Sequence, residues 1–202
     1  MFSDGIPRYP AKLRDISKLS PMNPSKRYLA AIAANLDQLQ RAQMAWICTQ
    51  GFAAAGQPTH LFAKLCFNAL FNDYISKCAK VFELGRQTAS IWYIERTNSA
   101  AFLAAMDNNK GLLDQLCAIA VPLKHLRDRD LMHLDETGVL DPNGVWEAAA
   151  LNPRELQVAV KATLRVLRNL ASQNNIDVPP LPRSLNGPRT SHIAKYLYNY
   201  VQ

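Results

Sequence analysis

Residues 123–135 read LKHLRDRDLMHLD and end a long segment whose apolar residues recur with helical spacing. Arg127 and Asp130 fall inside the apolar face of that helix, and His133 lies at its edge. Two charges placed where a core is expected are costly unless they are paired or used. This break in the pattern makes residues 127–133 the candidate functional site. At about 100° per residue, the apolar face is formed by Leu112, Leu116, Ile119, Ala120, Leu123, Leu126 and Leu134.

Four long segments with helical periodicity predict an all-α protein, a four-helix up-and-down bundle. Asn23-Pro24 and Asn152-Pro153 are typical helix starts, with Asn as cap and Pro at the first helical position. Asp141-Pro142-Asn143-Gly144 has the residues of a tight turn. No pair of strands is predicted. The long helices are expected from residue 24 to between 51 and 56, over about 59–84, over about 109–135 and from residue 153 onward, with one or two short helices within 88–106.

Length and charge suggest one domain with two basic extensions. The 202 residues divide into an irregular N-terminal arm (1–23), a helical domain (24–175) and a Pro-rich C-terminal tail (176–202), in which a short helix over 191–201 is expected. The net charge is +7, and Lys and Arg outnumber Asp and Glu most strongly near the two ends. Basic ends attract polyanions such as RNA, but they also serve ordinary solubility, so charge alone leaves both interpretations open.

Several classes of function are disfavoured by what the sequence lacks. No apolar run approaches the ~20 residues of a membrane span, and the N-terminus lacks the layout of a signal peptide. The sequence has no Cys-x-x-Cys pair, phosphate-binding Gly-rich loop or His-Glu-x-x-His motif. We therefore expect a cytoplasmic protein with reduced cysteines in its core, and with no metal, cofactor or membrane partner.

Arg127 and His133 admit two interpretations. In the structural one, Arg127 forms an ion pair with Asp130 at i,i+3 and His133 is a satisfied edge residue. In the chemical one, Arg127 holds phosphate oxygens and His133 transfers a proton. Six residues apart, the two side chains diverge by about 120° on an ideal helix, so they would flank a groove.

The segment Leu126–Asp135, LRDRDLMHLD, resembles the HEPN superfamily (higher eukaryotes and prokaryotes nucleotide-binding domain). That superfamily places an Arg, a polar residue and, five intervening positions after the Arg, a His near the end of the third helix of a four-helix bundle. The sequence of this segment looks like that of the abortive-infection, AbiU-type branch, although Met132 stands where that branch has a small residue. The likeness of architecture covers about residues 24–175, and the specific match is confined to 126–135.

The resemblance implies a metal-independent endoribonuclease that acts as a homodimer with the motif at its interface. The 2′-hydroxyl of RNA would attack the phosphorus and leave a 2′,3′-cyclic phosphate. Arg127 and His133 would be catalytic, with supporting roles at most for Asp128, which projects from the opposite face, for Asp130, which would hold Arg127, and for Arg129, which points to solvent. Phage defence by abortive infection, or toxin activity with an antitoxin protein as a further partner, is the biological role implied.

Two alternatives to the enzyme remain open. One is a non-catalytic HEPN-like helical module that dimerises or binds RNA or a protein, with Arg127 as a structural ion-pairing residue. The other is binding of a nucleotide or small ligand within the bundle, which the superfamily's name suggests but for which the sequence has no phosphate loop.

Overall fold

The computed structural model describes residues 24–54, 61–106, 109, 111–131 and 141–178. The predicted arm, most of the predicted tail, His133 and Met132 lie outside these residues. Every regular element in the described part is helical, which confirms the all-α class. The α-helices are α1 (Pro24–Ala54), α2 (Leu61–Val81), α3 (Ile91–Thr97), α4 (Ser99–Ala105), α5 (Leu112–Leu126), α6 (Pro142–Ala149) and α7 (Pro153–Gln173).

The four long helices α1, α2, α5 and α7 correspond to the four predicted ones, and α3 and α4 are the two short helices expected within 88–106. α1 packs against α2, α3 and α7, and α5 packs against α2, α6 and α7. The up-and-down arrangement of HEPN type and the domain limits 24–175 stay predictions.

Caps explain two of the helix starts. The Asn152 side-chain oxygen accepts hydrogen bonds from the N–H groups of Arg154 (3.0 Å) and Glu155 (3.5 Å), and its amide donates to Glu155 Oε1 (3.0 Å). The start predicted for the fourth helix is thereby confirmed. The prediction of a tight turn at 141–144 is wrong: Asp141 accepts from the N–H of Gly144 (2.9 Å) and caps α6, with Pro142 in its first turn. Asx caps and turns use the same residues, so the local sequence does not separate them.

The third long helix changes its hydrogen-bond pattern before the end predicted for it. α5 ends at Leu126, and a π-helical turn, Arg127–Leu131, follows and packs against α2 and α6. The predicted α-helix over 109–135 is therefore wrong over residues 127–131, because the backbone there adopts i→i+5 bonding, and residues 132–135 lie outside the described part of the chain. The predicted apolar face is confirmed as far as the structure describes it, since Leu112, Leu116, Ile119, Ala120, Leu123 and Leu126 are all buried.

A chain of buried and half-buried polar groups joins three of the long helices. The Tyr74 hydroxyl on α2 donates to Gln157 Oε1 on α7 (3.2 Å), and Gln157 Nε2 donates to Gln43 Oε1 on α1 (2.7 Å). Burial raises the pKa of Tyr74 and of the neighbouring Cys78 thiol well above their usual values. Both groups therefore stay protonated at physiological pH.

The four cysteines are free, and they do not share one environment. Cys78 is buried, Cys48 and Cys66 are half-buried, and Cys117 is exposed on α5. The prediction of a core position is therefore wrong for Cys117, which lies on the face of α5 opposite its apolar stripe. None of the helices in the described ranges combines the length and the hydropathy needed to cross a bilayer.

The loop over residues 82–90, between α2 and α3, is fixed at both ends by side chains. Trp92 Nε1 donates to the Phe82 carbonyl (3.0 Å) at its start. At its end, the buried amide of Asn35 on α1 donates to the Ala89 carbonyl. Between them, Thr88 Oγ1 donates to the Gly85 carbonyl (2.7 Å) and closes a turn. We call this segment the α2–α3 loop, and its conformation positions the side chains described below.

Asn35→Ala should lower the free energy of unfolding by about 1–3 kcal/mol, because the Ala89 carbonyl loses its donor. Urea unfolding followed by circular dichroism measures the change. The control is Gln50→Ala, at an exposed position of α1, which we expect to stay within about 0.5 kcal/mol of wild type. Equal stability of the two variants would contradict the role given to Asn35.

Candidate functional site

Arg127 lies at the junction of α5 and the π turn, with 21% of its side chain exposed. Its Nη1 contacts Glu83 Oε1 of the α2–α3 loop at 2.6 Å. Its Nη2 contacts Asp128 Oδ1 at 2.7 Å, and its Nε donates to the same oxygen at 2.8 Å. The charge that interrupts the apolar face is thus paired with two carboxylates, one of them distant in sequence.

The Arg127 guanidinium keeps part of its hydrogen-bonding capacity. It has five N–H donors, and the contacts to Glu83 and Asp128 use three of them. Partial burial disfavours the charged form, but the bonds to Asp128 and Glu83 outweigh it and raise the Arg127 pKa above its usual value. One hydrogen on each terminal nitrogen remains for a further acceptor such as a phosphate oxygen.

Lys124, one turn earlier on α5, completes the cluster by an ion pair with Asp128 Oδ2. Hydrogen bonds from Lys124 and from Arg127 lower the pKa of Asp128 below its usual value, against a smaller opposing effect of burial. Two positive and two negative charges therefore lie together: Lys124, Arg127, Glu83 and Asp128. The cluster has no net charge, so it does not by itself attract an anion strongly.

A cleft of about 370 Å³ opens beside this cluster, between the end of α2, the start of the α2–α3 loop and α5. Arg127, Lys124 and Glu83 supply its charged lining, and apolar or small residues supply the rest. An anion entering the cleft would meet two cations, but it would also meet the carboxylate of Glu83. Its binding would depend on how far Glu83 yields its contact with Arg127.

The structure brings together two of the five site residues predicted from sequence. Arg127 and Asp128 are in contact, because the long Arg side chain reaches its neighbour around the helix. The prediction that Asp128 projects from the face opposite Arg127 stays a prediction. Arg129 is exposed, as predicted. The Asp130 side chain and His133 lie outside the described residues, so the predicted Arg127–Asp130 pair and the placement of His133 stay predictions.

His125 differs from its sequence prediction. Projection on a regular helix places it in solvent, yet its Nε2 atom is buried and has no hydrogen-bond partner in the described part of the chain. The prediction is wrong for this atom.

Two residues of the cluster are absent from the sequence-based site. Lys124 could have been found, because Lys and Asp four residues apart on a helix are a recognisable ion-pair spacing. Glu83 carries no such signal. It lies 44 positions before Arg127 in a loop, and periodicity along one segment does not report a contact between two segments.

In the ranges that the structure describes, no group of three or more His, Cys, Asp and Glu side chains is placed to hold a metal ion. Comparison with known proteins gives no assignment. No protein-family model matches the chain, no curated protein matches its sequence significantly, and no solved structure matches its fold significantly. The functional argument therefore depends on the residues themselves.

We expect Glu83 and Arg127 to be energetically coupled, because removal of either residue leaves the half-buried charge of the other without this partner. Glu83→Gln and Arg127→Gln should each lower the free energy of unfolding by about 1–2 kcal/mol. The double variant should lose about 1 kcal/mol less than the sum of the two. Urea unfolding of all four proteins measures the coupling, and strictly additive losses would show that the contact contributes no stability.

The cluster also predicts a dependence of stability on pH. Because the pKa of Asp128 is lowered on folding, its stabilisation is fully present above about pH 5 and is lost as the pH falls through about 4 and below. Asp128→Asn should therefore destabilise the protein by about 1 kcal/mol at pH 7, and the difference from wild type should shrink toward about pH 2. Unfolding curves at several pH values test this, and a difference that grows on acidification would reverse the assignment.

Proposed function

We propose that the chain is a metal-independent endoribonuclease of HEPN type, with Arg127 and His133 as its catalytic residues. In the proposed reaction, the 2′-hydroxyl oxygen bonds to the adjacent phosphorus while the bond from phosphorus to the 5′ oxygen breaks. His133, as general base or acid, removes the proton of the 2′-hydroxyl or supplies one to the leaving 5′ oxygen. The products are a 2′,3′-cyclic phosphate and a 5′-hydroxyl.

The observation that carries the proposal is the sequence motif from Arg127 to His133, which begins directly after the third long helix of a chain that is all-α in its described part. The geometry of Arg127 is compatible with its role. Its guanidinium lines a cleft and keeps two N–H donors, enough to bind two oxygens of a phosphodiester as negative charge develops on them. Lys124 lies at the same cleft and can bind a neighbouring phosphate.

The proposal extends to assembly and biology. We propose a homodimer in which two copies of the motif lie together, RNA as the substrate, and a role in phage defence by abortive infection or as a toxin restrained by an antitoxin protein. Each of these depends on the resemblance of residues 126–135 to the abortive-infection branch of the HEPN superfamily.

One observation favours a second candidate, a non-catalytic HEPN-like module that dimerises or binds RNA or protein. Arg127 is held by Glu83 and Asp128, and the four-charge cluster is neutral. This is the arrangement expected of an ion-pair network that fastens the α2–α3 loop to the end of α5. In that case Arg127 would support the fold, and the protein would bind partners without cleaving RNA.

Incubation of the full-length protein with a 5′-labelled RNA in EDTA tests the proposal. The enzyme should give fragments ending in 2′,3′-cyclic phosphate, identified by mass spectrometry. His133→Ala should slow cleavage by about 100-fold or more, because a general acid or base contributes at least that much. The matched control is Arg168→Gln, at an exposed position of α7, which should cleave like wild type.

Two results would contradict the enzymatic proposal. One is RNA that stays intact with wild-type protein. The other is equal cleavage by wild type and His133→Ala, which would indicate a contaminating nuclease. Loss of the Arg127 ion pairs also lowers stability, so an unfolding curve must show that Arg127→Gln is folded at the assay temperature. A folded Arg127→Gln protein that binds RNA without cutting it supports the catalytic role. If wild-type protein does not cleave RNA and Arg127→Gln is less stable than wild type, the result supports the non-catalytic module.

A further inference from the structure

A second and larger cavity, of about 620 Å³, lies between α1, the α2–α3 loop and α3. Ala30, Ala31 and Ala34 on one face of α1 form one side of it. The side chains of Arg27 and Arg86 line it, together with Tyr93. This cavity and the cleft at Arg127 are different sites, because no described residue lines both.

Among the residues that the structure describes, the charged side chains lining this cavity are all positive. No Asp or Glu lines it, and neither Arg27 nor Arg86 has an ion pair or a side-chain hydrogen bond within the described ranges. This contrasts with Arg127, which has two carboxylate partners. Two guanidinium groups at one concave surface repel each other unless an anion lies between them.

The backbone adds to the attraction for an anion. In the described part of the chain, the N–H groups of Gln87 and Ala89 have no acceptor, so they remain available to a ligand or to water. Arg27 also lies in the first turn of α1, where the helix dipole is positive and where α1 has no acidic residue. Gln87 and Ala89 line the cavity together with Arg27 and Arg86, so backbone donors without an acceptor and positive charges occur in one lining.

The walls of the cavity are fixed before any ligand arrives. Three alanines on α1 leave the space that larger side chains would fill. Asn35, on the same helix, holds the Ala89 carbonyl, and the Thr88 hydroxyl closes the turn back to Gly85. A preformed site loses less conformational entropy when a ligand binds than a flexible one does.

We propose that this cavity binds a phosphate ester, with Arg27 and Arg86 on the phosphate oxygens and the Tyr93 ring beside the attached base. Guanidinium groups bind phosphate oxygens in pairs, and an aromatic ring gives a base a surface on which to stack. A free mononucleotide and a nucleotide of a single RNA strand share this chemistry. The site does not require that residues 127–133 cleave RNA, and its ligand would contact the same loop that carries Glu83.

The test uses full-length His133→Ala protein, so that the proposed ribonuclease cannot consume the RNA. It is titrated with inorganic phosphate, with adenosine 5′-monophosphate and with a 12-nucleotide single-stranded RNA in a calorimeter. Arg86→Gln should weaken binding of the nucleotide or the RNA by about tenfold or more, the effect of one lost charge-assisted hydrogen bond. For RNA, the slope of log K against log salt should fall by about 0.7 per arginine removed.

Matched variants separate this site from general attraction by a basic protein. Arg165→Gln removes one exposed charge from α7 and should leave binding unchanged. Ala34→Leu should fill the cavity without changing any charge and abolish binding, whereas Ala33→Leu, also exposed on α1 but not lining the cavity, should not. Circular dichroism confirms that each variant is folded.

If Arg86→Gln and Ala34→Leu weaken binding of the mononucleotide, the result supports a site for free nucleotides. If they weaken binding of RNA alone, it supports a strand-binding site. Binding that none of these variants changes, or no binding of any probe at millimolar concentration, overturns the proposal. Because cleavage is measured separately with wild-type protein, failure here leaves the ribonuclease proposal standing. Failure of the ribonuclease proposal likewise leaves the phosphate site standing.

Discussion

The hydrogen bond from the buried Asn35 amide to the Ala89 carbonyl is the constraint on which the cleft at Arg127 and the larger cavity both depend. It fastens the α2–α3 loop to α1, while Trp92 holds the Phe82 carbonyl at the other end. The loop is also anchored at its start by the Phe82 side chain, which is fully buried in the core. Glu83 near one end therefore meets Arg127, and residues 86–89 near the other end form a wall of the larger cavity. One short connection thereby serves two surfaces.

Opposite electrostatic conditions distinguish these surfaces. At Arg127, Glu83 and Asp128 already use three of the five N–H donors, so a phosphate would have two donors left and would lie close to two carboxylates. At Arg27 and Arg86, no carboxylate competes within the described residues. On the two proposals above, an RNA strand would first be captured where positive charge is unopposed, and its contact with Arg127 would form afterwards beside the ion pairs. Such an order would make the Arg127 cluster selective and the Arg27–Arg86 cavity permissive.

The sequence predicts the long helices well because their signals are local. Apolar spacing and the Asn-Pro starts depend on residues within a few turns, and the buried stripe from Leu112 to Leu126 follows from spacing alone. The candidate site is predicted less well. Arg127 stands out by its position in that stripe, but Glu83 pairs with it across 44 positions, and no local rule reports such a contact. The larger cavity exists because alanines are placed opposite a loop, which only the assembled fold reveals.

The π turn at Arg127–Leu131 changes what sequence spacing means for the residues that follow it. In a π turn each hydrogen bond spans five residues, whereas in an α-helix it spans four, so the rotation per residue within Arg127–Leu131 differs from the ~100° of a regular α-helix. The angle of about 120° predicted between Arg127 and His133 assumes a regular α-helix, and residues 127–131 do not meet that assumption. The number of residues between two side chains gives their separation along the chain. It gives their relative direction around the helix axis only where the helix is regular. A motif defined by spacing alone can present its second residue toward a different face.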